Sequence, residues 1–161
     1  MKKILLTLFI VLGSITMQAQ ELEWHTDMNK AMELSQKNKK PLLLFFTGSD
    51  WCGWCMRLQK EVLKTEDFAK WAKDNVILVE LDFPKRTAQS AELKQQNASL
   101  ARSFAVQGYP TVWFVDVQKG EDKKPVLKQL GKTGYVRGGA SAWLEGANAI
   151  LDHGKTQKKI N

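Results

Sequence analysis

Cysteine is scarce in this sequence: Cys52 and Cys55 are the only two in 161 residues. That excludes a framework of several disulfides, which needs at least four. Histidine is as scarce and badly placed. His25 and His153 stand near opposite ends of the chain, so two thiolates and two imidazoles do not compose a zinc site at finger spacing. Met56 follows Cys55, which removes the haem-attachment signature. No metal and no cofactor are expected. Beyond residue 20 no apolar run reaches the roughly 20 residues that a membrane-spanning helix takes. The chain is basic, with a formal net charge of +7, but its lysines are spread over 37–40, 119–124 and 155–159 without interleaved aromatics. Such scattering reads as solvated faces, and no nucleic-acid partner is expected. No internal repeat is present.

What is there begins with residues 1–20. Lys2 and Lys3 precede an apolar run over 4–15, diluted only by Thr7, Gly13 and Ser14, and small or polar residues then lead to Ala19. This is the layout of a secretory signal peptide, with the cut after Ala19 or Gln20. Residues 21–161 then form one domain, with a loose tail from about 153. Losing Lys2 and Lys3 lowers the formal charge from +7 to +5. The expected location is periplasmic or secreted, with no stable membrane insertion once the signal is removed.

The chemistry gathers at Trp51-Cys52-Gly53-Trp54-Cys55. A thiolate is a strong nucleophile, and a second thiol within reach completes a disulfide. At the start of a helix, a spacing of three brings the second sulfur back beside the first after one turn. The unpaired N–H groups and positive dipole end of that helix lower the pKa of the first thiol. Exported proteins mostly use cysteine for structural bridges. A bridge between Cys52 and Cys55, however, closes so small a loop that it removes little unfolded-chain entropy. A redox pair is the better reading, with Cys52 attacking and Cys55 resolving.

Hydrophobic periodicity predicts a first helix over 24–39, capped by Thr26 or Asp27. The continuous apolar run at 42–46 predicts a strand buried on both faces. A polar turn at 47–50 delivers the chain to a helix over 52–63, and a further helix starts after the cap Thr65. A strand over 76–82, a helix over 91–104 and a strand over 111–115 follow. A charged turn at 116–124 leads to an antiparallel return strand at 126–130. A glycine-rich link at 131–139 precedes a last helix over 140–151, ended by Gly154.

That order and its motifs resemble the thioredoxin superfamily. The cysteine motif is similar to the family's Trp-Cys-Gly-Pro-Cys, with Trp54 in place of the proline. Lys40-Pro41 before the strand fits, and Gly108-Tyr109-Pro110-Thr111 resembles the family's cis-proline segment. The resemblance spans roughly 24–151 and is best to exported thioredoxin-like modules. It implies an α/β thioredoxin fold, a central mixed four- to five-stranded sheet flanked by helices. It also implies that Cys52 is the exposed attacking thiol, that Cys55 is the buried resolver and that Pro110 is cis and faces the pair. Trp51, Gly53 and Trp54 would then bind substrate together with Tyr109 and Pro110. Two departures stand out. Phe45 or Phe46 occupies the place of the family's buried aspartate, and Gln59 that of an acid found in some exported relatives. Glu61 is expected to point outward, which leaves Cys55 without a base.

The resulting expectation is an exported enzyme, a dithiol–disulfide oxidoreductase that acts as a monomer on exported protein substrates, more a reductant than an oxidant. It would be recharged by a separate redox partner. The alternative is a non-catalytic binding or chaperone-like module on the same fold.

Overall fold

Leu42, Leu43, Leu44, Phe45 and Phe46 are each at most 1% exposed, and they form the centre of the molecule. A run of large apolar residues suits a strand covered on both faces. In the computed structural model, which describes residues 22–160 apart from 121 and 123, this run is strand β2 (Leu42–Thr47). The expected signal peptide at 1–20 lies outside the described residues. The other strands are β1 (Trp24–His25), β3 (Ile77–Asp82), β4 (Thr111–Lys119) and β5 (Pro125–Thr133). They form one sheet in the order β1-β3-β2-β4-β5. β1 and β2 run parallel to β3, whereas β4 is antiparallel to both β2 and β5.

Five helices cover the sheet: α1 (Met28–Asn38), α2 (Gly53–Leu58), α3 (Glu66–Asn75), α4 (Ala91–Ser103) and α5 (Gly139–Ile160). Alternation along β2 divides the core. Leu43 and Phe45 pack with Cys55, Leu58 and Val62 of the cysteine helix and with Phe68 and Trp143. Leu42, Leu44 and Phe46 pack with Met28, Ala31 and Phe104 on the other face. This is the mixed five-stranded thioredoxin fold.

Register decides where the site lies. The last residues of β2 pair with the first of β4, Phe46 opposite Thr111, so the Pro110 segment arrives beside the loop that carries the cysteines. On the other side Thr47 pairs with Asp82, and Phe83 N–H donates to Thr47 O at 2.9 Å. The loop after β3 is thereby laid against the same place.

Several expected boundaries move. Trp24 and His25 are a short strand, not the start of a helix. Helix α1 begins only after Asp27, whose carboxylate accepts from the N–H groups of Asn29 and Lys30. Residues 116–119, expected in a charged turn, continue β4, and 131–133 continue β5, because each pairs across the hairpin, out to Lys119 opposite Pro125. Helix α2 runs into a π-helical turn, Gln59–Leu63. Helix α5 does not stop at Gly154. That glycine is buried against Leu130, whose Cδ2 would lie 3.0 Å from an added Cβ, so its bareness serves packing and not termination.

Candidate active site

The loop between β2 and α2 is latched at several points. Gly48 O accepts from Cys52 N–H at 2.9 Å. A Cβ on Gly48 would lie 2.4 Å from Trp51 Cε2, so only glycine lets the indole close over the turn. Trp51 Nε1 donates to Phe83 O at 2.8 Å, and Lys85 Nζ sits 4.0 Å from the centre of a Trp51 ring. Ser49 donates to Asp82 from N–H at 2.8 Å and from its hydroxyl at 2.5 Å. The Asp50 carboxylate accepts from the N–H groups of Lys85, Arg86 and Thr87 at 2.9, 2.7 and 2.9 Å.

Those donors, Lys85 first, hold the Asp50 pKa at about 2. A carboxyl whose folded pKa lies below its unfolded value of about 3.9 stabilises the fold fully above that value. The contribution is lost as pH falls through about 2. Asp50→Asn is therefore expected to melt earlier than wild type at pH 7, with the two melting curves converging toward pH 2. A pH series of thermal unfolding checks this, and a constant offset across the series would contradict it.

Cys52 caps α2. Its Sγ accepts from Cys55 N–H at 3.2 Å. A sulfur that receives a helix N-terminal N–H is stabilised as thiolate. The two cysteines are joined as a disulfide across three positions, with Cα atoms 5.2 Å apart. Cys52 is less open than expected, at 6% exposure, because its own helix start and the Trp51 loop cover it; Cys55 is fully buried. Above the pair the surface is clear: a Cβ on Gly53 would meet nothing within 4 Å.

Trp54, 55% exposed, stands next to this opening. Its ring lies 5.2 Å from that of Tyr135, and the Arg57 guanidinium sits 5.5 Å from both. Glu61 ties the group together, accepting from Arg57 Nε at 2.8 Å and from the Tyr135 hydroxyl at 2.6 Å. Those bonds, Arg57's first, lower the Glu61 pKa, and the Glu61 bond raises that of Tyr135. On the other flank the Tyr109–Pro110 peptide is cis, and Tyr109 meets Trp51 edge-on at 5.8 Å. A groove of about 460 Å³ runs along residues 105–111 and 132–134.

Trp51, Cys52, Gly53, Trp54 and Cys55 thus form one continuous stretch of the site, and the Trp51–Tyr109 contact joins Tyr109 and Pro110 to it. Sequence reading missed Asp50, Arg57 and Tyr135. Asp50 and Arg57 flank the motif in sequence, but nothing local announces their partners. Tyr135 lay hidden in what reads as a glycine-rich link.

A surface-edge sulfur and a buried one, held at a helix start on this order of strands, are the working parts of a dithiol–disulfide oxidoreductase of the thioredoxin type, and this chain is such an enzyme. It belongs to the thioredoxin-like family: its sequence matches the Thioredoxin-like domain over residues 28–143. It is 35% identical over 133 residues to "Disulfide bond reductase DsbH" of Chlamydia pneumoniae, a match covering 83% of this chain and 75% of that protein. It is also 33% identical over 125 residues to "Thioredoxin-related protein DsbJ" of the same organism, covering 74% of this chain but only 36% of that longer protein. Among solved structures, "DsbH Oxidoreductase" superposes with a TM-score of 0.74 at 32% identity, covering 91% of this chain and 95% of that one. No helix among the described residues is long and apolar enough to cross a membrane.

Proposed function

We propose that this protein is an exported reductase of protein disulfides, with Cys52 as nucleophile and Cys55 as resolver. The observation that carries the assignment is the asymmetry of the pair. Cys52 Sγ receives the helix N–H and its residue keeps 6% exposure beside the open face at Gly53, whereas Cys55 is fully buried. Cys52 attacks a substrate disulfide, one substrate sulfur leaves as thiolate, and a mixed disulfide forms. Cys55 then attacks Cys52 Sγ, which releases the second substrate sulfur and closes the Cys52–Cys55 bond. Two electrons pass to the substrate, and an external dithiol partner must return them.

Trp51, Trp54, Tyr109 and Pro110 make the substrate surface, with Gly53 leaving the sulfurs accessible between them. The Trp54–Arg57–Tyr135 stack holds one apolar wall upright. Tyr109 offers its backbone carbonyl and N–H to an extended strand, since Pro110 has no donor of its own. The layout of residues 1–20 supports export. The reductive direction is supported by likeness to a relative named as a disulfide bond reductase.

Equilibration of the pair against a graded series of reduced and oxidised glutathione, read by mass after acid quenching, tests the direction. A potential near about −270 mV fits a reductant, and one near about −120 mV would make the protein an oxidant.

A further inference from the structure

Cys55 has to lose a proton before it can attack, and full burial in apolar surroundings raises a thiol's pKa. The carboxylates near the site differ in how freely they could take that proton. Glu61 is committed to Arg57 and Tyr135, Asp82 to Ser49, and Asp50 to the loop after β3. Glu80 is different. It is half-buried, and among the described residues no hydrogen bond or ion pair holds its carboxyl group.

Its position favours the buried sulfur. On β3, Leu78 packs into the cluster that contains both cysteines, while Val79 and Leu81 face the opposite layer. Strand alternation puts Glu80 on the cysteine face with Leu78. Glu80 pairs in register with Phe45, itself a member of the Cys55 cluster. A cavity of about 220 Å³ opens there, lined by Trp24, Phe45, Gln59, Leu63, Lys64 and Glu80. Gln59, which lines the cavity, stands one helical turn after Cys55, its backbone N–H donating to Cys55 O. Gln59, Lys64 and Glu80 bring polar groups to an otherwise apolar lining, and a pocket of this size has room for a water between groups out of direct contact. Thr47 also faces this side of the sheet, and its hydroxyl is buried with no hydrogen-bond partner among the described residues.

We propose that Glu80 is the positioning carboxylate that receives the Cys55 proton through this cavity. In the resolving step the Cys55 S–H bond breaks and its proton passes by way of water to Glu80. The Cys55 thiolate forms the S–S bond to Cys52, and the Cys52–substrate S–S bond breaks. The substrate thiolate leaves with the electron pair and is protonated from solvent, and Glu80 later returns its proton to water. Burial raises the Glu80 pKa above the ordinary carboxylate value, as does Asp82 on the same strand; Lys64 opposes them. Trp24 from β1 and Phe45 from β2, the other strand residues lining the cavity, are uncharged. A carboxyl shifted toward neutrality is the better base near pH 7.

The inference rests on the exchange reading above, and one experiment separates the two. Reduced protein is mixed in a stopped-flow instrument with excess 5,5′-dithiobis(2-nitrobenzoate). Attack by Cys52 releases a first thionitrobenzoate in a phase that depends on reagent concentration. Resolution by Cys55 releases the second in a phase that does not. Over roughly pH 6–10 the second phase should be fast and nearly flat in wild type. In Glu80→Gln it should be at least about tenfold slower at pH 7 and climb to meet wild type near pH 10, with Glu80→Asp recovering part of the neutral rate. The inference is overturned if Glu80→Gln superimposes on wild type, if it is slowed by one factor at every pH, or if the neutral-pH loss appears in Glu61→Gln instead. Absence of any concentration-independent phase in wild type would overturn the exchange reading as well.

Discussion

Cys55→Ala is expected to accumulate mixed disulfides with its protein substrates, and Cys52→Ala to accumulate very few. The alanine at 55 removes the resolving sulfur but keeps the backbone N–H that donates to Cys52 Sγ at 3.2 Å, so the attacking thiolate retains its stabilisation. Attack proceeds and release does not. The converse variant leaves a fully buried thiol with no surface through which to reach a protein disulfide. Incubating each variant with an extract of exported proteins, quenching with acid and separating without reductant reads the difference directly. Equal trapping by the two would contradict the division of roles.

The second large effect is expected at Trp143, far from the cysteines in sequence but part of their packed cluster. It is 1% exposed and meets the rings of Phe68, Trp71 and Phe114 at 5.8, 6.2 and 6.2 Å. Its Nε1 donates to Gly134 O at 3.0 Å, which fixes the backbone immediately before Tyr135. Trp143→Ala removes the ring, leaves a cavity and frees a carbonyl from its partner. A buried Trp→Ala change costs about 3–5 kcal/mol. Trp143→Phe keeps most of the packing but not the hydrogen bond, and should cost less while loosening the Tyr135–Trp54 stack. Denaturant titration measures both, and a loss below about 1 kcal/mol for the alanine variant would show that Trp143 is not a keystone of this layer.

Much of the molecule was legible from local pattern. The apolar run at 42–46 marked a central strand and the cysteine spacing marked a helix start, each announced by neighbours in sequence. That the Tyr109–Pro110 peptide is cis followed from the family resemblance alone, since a proline before a strand is otherwise an ordinary loop residue. The parts that were not legible depend on contacts between distant segments. β1 is two residues long and exists because Trp24 and His25 pair with Leu78 and Val79, 54 positions away. Asp50 reads as a turn residue until the loop after β3 closes over it. Gly154 reads as a helix stop because a glycine chosen for closeness to Leu130 looks the same as one chosen for a left-handed turn. Glu80 did carry a signal: it interrupts an apolar strand at a position where alternation points inward. Only the register with Phe45 places that acid beside a member of the cysteine cluster. β2 carries no acid, as the sequence shows, and the base proposed for Cys55 stands on the neighbouring strand instead.

The central claim is that a Cys52/Cys55 dithiol transfers electrons to protein disulfides. Its most direct measurement is the turbidity rise as insulin chains separate and precipitate in dithiothreitol, with and without this protein. Wild type should accelerate the reaction catalytically, at amounts far below one equivalent of insulin. Cys52→Ser should leave it at the uncatalysed rate. Reduction no faster with wild type than with Cys52→Ser would contradict the account and leave the fold as a binding module with an idle disulfide.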